Sequence, residues 1–228
     1  PLDTFYMSVA DLDNYIVEKT MAVYATNTAD QTITMRGTLF SYLLCTMYYY
    51  GWAHYLMEYM NNKHNVKHTD FIEAMLDYFF TKDSIIGNEL RATQQQMNDV
   101  FHKGSFWGRQ VIENDIFWEY NGATSINFHY NREQLKYEMI KFVEFEYEID
   151  VSDVVEFNAH MCKDPNQTYP YNIKIKKDTA MYCLNTENIN LKLDHWDKEH
   201  LEETKFFHVC YHWQRKNYYW KCTPTSIN

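Results

Sequence analysis

Val143-Glu144-Phe145-Glu146-Tyr147-Glu148-Ile149-Asp150-Val151 alternates apolar and acidic residues over nine positions. An extended chain sets every second side chain on one face, so this stretch predicts a half-buried β-strand with an acidic outer face. Toward the carboxyl terminus the same rhythm recurs. Ile126, Phe128 and Tyr130 alternate with polar residues, as do Tyr171, Ile173 and Ile175, and Ile189, Leu191 and Leu193. Ala180 to Leu184 predicts a further short strand. The spacing is that of hairpins, which makes the sheet antiparallel. The lysines of 170–177 are expected opposite the acids of 143–151, each cross-strand pair contributing about 0.2–1 kcal/mol. Asp197 then opens a long final helix to about Lys221, with Glu199, Glu202 and Glu203 in its early turns and Arg215, Lys216 and Lys221 near its end. That polarity suits the helix dipole.

Toward the amino terminus the rhythm is helical. Ser8-Val9-Ala10-Asp11 predicts a first helix ahead of Leu12, Ile16 and Val23. A second is expected from about Thr38 to Met60, apolar nearly all round. Asp70 with Glu73 precedes Phe71, Met75, Phe79 and Phe80, and further helices are expected over about Asn88 to Phe101 and Val111 to Tyr120. Residues 27–36 and 132–141 stay open between conformations. The fold class expected is α+β in a single domain, 1–228: a helical part over about 1–120, then an antiparallel sheet of four or five strands with a long C-terminal helix over about 121–222. A sheet closed by a terminal helix resembles the layout of helix-grip ligand binders, a likeness of arrangement alone.

Composition narrows the functions. The chain has 228 residues and a net charge of −10, which argues against nucleic acid as a partner. Six glycines, none after Gly122, leave no glycine-built phosphate cradle. Residues 37–57 carry no Asp, Glu, Lys or Arg, yet five tyrosines and His54 make them a buried core helix rather than a membrane span. The amino-terminal residues do not read as a signal peptide. Twenty tyrosines against thirteen leucines mean an interior with many hydroxyls that need partners. Cys162, Cys183, Cys210 and Cys222 fall in the last third and allow either three disulfide connectivities or reduced thiols.

Two aromatic clusters, around Met47 to Met60 and Phe206 to Trp220, predict an amphipathic pocket. Tyr50, Trp52, Tyr55, Phe207, Tyr211 and Trp213 are its expected ligand-binding residues. On this reading the chain is a soluble, non-catalytic binding module for an amphipathic or aromatic small molecule or a protein partner. The alternative is a metal-dependent enzyme. His208 and His212 stand at i and i+4, and with His54 they would offer three imidazoles to Zn or Fe and leave a position for water. The simpler account of that pair is polar helix surface, and no cofactor is then required. Glu156 and His160 give one carboxylate–histidine pair where a di-iron bundle needs two. A structural or storage role, or a designed sequence without biochemical activity, also fits the tyrosine-rich composition.

Overall fold

The computed structural model describes residues 2–7, 18–23, 25, 26, 28–103, 109, 110, 117, 118, 120–162, 167, 168, 170–193 and 224–226. In chain order they form β1 (Leu2–Met7), β2 (Glu18–Val23), α1 (Gln31–Leu44), a π-helical turn (Cys45–Tyr49), α2 (His54–His64), α3 (His68–Phe80) and α4 (Ile85–Lys103). β3 (Arg109–Gln110), β4 (Phe117–Trp118), α5 (Tyr120–Tyr130), α6 (Arg132–Tyr147) and α7 (Ser152–Met161) follow, then β5 (Tyr171–Lys174), α8 (Lys177–Leu184), β6 (Asn190–Leu193) and β7 (Pro224–Ser226). The architecture is mainly helical. β1 pairs with β2, β3 with β4, and the order β5-β6-β7 makes the largest sheet among the described residues. Contacts gather into two compact units, Pro1–Cys45 with Ile72–Asn131, and Thr46–Phe71 with Arg132–Asn228.

The expected four- or five-stranded sheet is therefore corrected, and its defining strand first. Leu135, Glu138, Met139, Phe142 and Val143 are buried in α6, spaced three and four apart. This helical phase, in residues rich in good helix formers, carries on through Tyr147. Tyr147 stacks on Phe71 with ring centroids 5.9 Å apart. A two-residue step turns a helix by about 200°, so the alternation places Phe145 opposite Val143, and Phe145 is 69% exposed. Glu148 ends α6 in the left-handed conformation, φ 56°, with its N–H on the Glu144 carbonyl. The acids of 143–151 and the lysines of 170–177 are not on neighbouring strands; Lys176 pairs instead with Asp153, in the first turn of α7.

Residues 126–130 lie in α5, not in a strand. Gly122 to Ile126 and Phe128 are all buried, so this short helix is enclosed on most sides. Its Asn127 is polar because it bonds a buried carboxylate: Glu89 Oε1 accepts from Asn127 Nδ2 at 2.7 Å, and Oε2 accepts from the Thr124 hydroxyl at 2.6 Å. Having spent its proton there, Thr124 accepts from Tyr42 at 2.6 Å. Ala180 to Leu184 belong to α8. That helix ends at Asn185, φ 52°, with the Thr186 N–H returned to the Ala180 carbonyl. Glu18–Val23 is a strand where a first helix was expected, and Phe117–Trp118 is another within the helix expected over 111–120. The single helix expected over 38–60 is broken by the π turn and by Gly51, φ 91°. The long C-terminal helix expected from Asp197 lies outside the described residues.

In the second unit, Asn158 of α7 holds that break in place. Its Oδ1 accepts the Tyr55 N–H at 2.8 Å, and its Nδ2 donates to the carbonyls of Gly51 at 3.1 Å and Trp52 at 2.7 Å. Ala53 at the start of α2 provides no side-chain cap, so an amide from another helix satisfies the end. Tyr55, Phe157, Met161, Leu191 and Leu193 form the core under the sheet, with Tyr171, Ile173 and Ile175 packed against them.

Candidate functional site

The first unit carries an open groove of about 430 Å³ lined by α1, the end of α3, the adjoining Thr81, and α4. Its floor is apolar: Met35, Leu39 and Leu76 are buried and Phe80 half-buried. They line one groove because α1 buries every third or fourth residue, starting from the Asp30 cap, whose Oδ1 accepts the Ile33 N–H at 2.9 Å. The rim is polar and mostly uncharged, with Gln31, Thr32, Gln94 and Asn98. Arg36 and Asp77 close one end. The guanidinium donates to Asp77 at 2.8 Å and to Glu73, and these hydrogen bonds raise its pKa. Two carboxylates on one guanidinium leave that end with an excess negative charge. At the Gln31 corner the amide donates to Nε2 of His102 at 2.7 Å, which puts the ring proton on Nδ1. Sequence reasoning missed these residues because 27–36 was left open. The Gln94-Gln95-Gln96 run inside a helical stretch was the available signal.

Of the residues expected to bind a ligand, Tyr50, Trp52 and Tyr55 are in the second unit, with exposures of 7%, 5% and 8%. Trp52 borders a space of about 20 Å³ among Leu56, Leu135, Met139 and Val155. That is room for about one water. His54 lies against Tyr48 and Tyr55, with centroids 4.4 and 4.9 Å away. Phe207, Tyr211, Trp213, His208 and His212 lie outside the described residues. Among the described residues no three His, Cys, Asp or Glu side chains gather as metal ligands. Among them, too, no helix is long and apolar enough to cross a membrane.

Two other titratable clusters stand in the second unit. Tyr48 donates to Glu58 Oε1 at 2.7 Å, and burial, then this bond, pushes its pKa up to about 12. His68 Nε2 stands 3.8 Å from the same oxygen. On α7, His160 has Nδ1 3.1 Å from the Tyr171 hydroxyl and Nε2 3.6 Å from Glu156. Burial lowers the His160 pKa, against the pull of Glu156. Cys162 and Cys183 are unbridged, and Cys183 donates to the Tyr55 carbonyl at 3.3 Å. Burial pushes the Cys183 pKa up to about 12, so its thiolate is scarce at neutral pH.

No protein-family description matches the chain, and no curated protein matches its sequence.

Proposed function

We propose that the chain is a non-catalytic binding module and that the groove of the first unit takes an amphipathic aromatic small molecule. The observation that carries this reading is the pairing of an apolar floor with a polar rim in about 430 Å³, within the usual size of small-molecule sites. An aromatic body would remove Met35, Leu39, Leu76 and Phe80 from water. Gln31, Thr32, Gln94 and Asn98 would orient a polar head. The excess negative charge beside Arg36 favours a neutral or cationic head over an anionic one.

Thermal unfolding with naphthylethylamine and a panel of neutral aromatic alcohols tests the reading. A ligand at about 100 times its Kd stabilises the native state by about 2.7 kcal/mol, a clear rise in Tm. Thr32→Trp fills the groove from an exposed rim position and is expected to abolish that rise while leaving the ligand-free Tm nearly unchanged. If no compound in the panel raises Tm, or the variant responds as the parent does, the groove is not the site.

A further inference from the structure

A second surface, independent of the groove, lies on the other unit. β5 is the outer strand of the order β5-β6-β7 among the described residues. Its register sets Tyr171 opposite Leu193 and Ile173 opposite Leu191, and the Ile175 N–H donates to the Ile189 carbonyl at 2.9 Å. Hydrogen-bonded pairs recur at every second residue of an antiparallel ladder. The main-chain groups of Tyr171, Ile173 and Ile175 thus turn toward β6, and those of Asn172 and Lys174 turn outward. Among the described residues nothing bonds these outward groups.

Beside this edge is a cavity of about 310 Å³. Phe157, Ile173 and Ile175 supply its apolar surface; Asp153, Glu156 and His160 of α7 line it as well. Both acids are already matched, Asp153 by Lys176 and Glu156 by Lys136 at 2.7 Å. Lys174 and Lys177 are exposed and form no ion pair among the described residues. The edge therefore offers backbone donors and acceptors, room for an apolar side chain and unmatched positive charge.

We propose that the outer edge of β5 receives an extended acidic peptide of a partner protein as an additional strand. Main-chain bonds to Asn172 and Lys174 would supply affinity, and an aliphatic side chain in the cavity would supply selectivity. A carboxylate on the exposed face would answer Lys174. A second copy of this chain fits less well. Antiparallel pairing about Ile173 would bring the unmatched Lys174 of both copies onto one face, closer together than the screening length. Pro170 and the lysines guard the edge against itself, while to an acidic strand the same lysines are attractive.

The test is fluorescence anisotropy of the full chain with labelled acetyl-Glu-Val-Glu-Val-Glu-amide. Saturable binding is expected. Methylating the peptide nitrogens that face β5 is expected to weaken it about tenfold or more. Lys174→Glu is expected to reverse the preference toward the Lys-Val-Lys-Val-Lys peptide. Asn172→Pro removes only an outward N–H and is expected to lose binding with an unchanged melting curve; should that variant not fold, the methylated peptide decides alone. Equal affinity for the methylated peptide, preference of the parent chain for the basic peptide, or no binding at about 1 mM would each overturn the proposal. So would a dimer of the chain alone, seen in sedimentation and lost in Asn172→Pro, which would make a second copy the occupant.

Discussion

Asn158 shows how much one side chain can hold. A single amide answers one N–H and two carbonyls of the turn between the π segment and α2, all inside the second unit. Removing it takes one hydrogen bond from each of three buried backbone groups, and the Gly51 carbonyl keeps the Cys162 thiol at 3.5 Å; a lost bond of this kind costs about 1–3 kcal/mol. Asn158→Ala is therefore expected to destabilise by about 2–4 kcal/mol, a large effect for a point substitution. Urea unfolding with an unchanged m-value would report this as a lower midpoint; a midpoint within error of the parent would mean the turn holds itself. Nothing in the sequence around Asn158 marks it. Its role depends on a loop more than a hundred positions earlier in the chain. Glu89 is similar: a lone acid in a helical stretch reads as surface, yet it is 3% exposed and bonded to Thr124 and Asn127. The excess of tyrosines did announce such an interior, because buried hydroxyls must find partners, as Tyr42 does in Thr124.

At the scale of elements, α3 and α4 were legible because their apolar residues fall three and four apart and fit no other geometry. Their junction adds what spacing does not show. A Cβ on Gly87 would stand 2.9 Å from Ser84 Oγ, 2.5 Å from the Phe79 carbonyl and closer still to that of Lys82. Gly to Ala in a helix normally stabilises by up to about 1 kcal/mol. Here Gly87→Ala is expected to destabilise by about 1–3 kcal/mol through overpacking against backbone that cannot yield. Thermal unfolding checks the sign, and a rise in Tm would show that the α3–α4 turn relaxes. α6 illustrates the opposite case. Its last residues alternate as a strand would, but the preceding turns had already set the helical phase. Lys141 pairs with Glu144 one turn later, and the cost of the mismatch is one outward phenylalanine.

For the molecule as a whole, acid is the informative variable. Burial lowers the pKa of His160, and burial with Lys63 nearby lowers that of His64. A histidine depressed on folding binds its proton first in the unfolded chain. The stability it supports is thus complete above the ordinary value of 6.5 and is lost as pH falls below it toward the folded value. Urea midpoints measured from about pH 7.5 to about pH 5.5 are expected to fall, and His160→Gln to flatten that fall. A midpoint independent of pH over this range would count against a half-buried ring held neutral. Sequence alone was enough for the helical character of α3 and α4, the extended runs that become β5 and β6, and the need for hydrogen-bond partners inside. Each follows from local spacing or from the chemistry of one residue type. Packing between distant segments settled α5, the end of α6, the break at 45–53, the pairing of β5 with β6, the groove and the place of β5 at the outside of its sheet among the described residues. Whether an alternating stretch becomes strand or helix turns on which face finds an apolar neighbour, and that neighbour is supplied by residues far away along the chain.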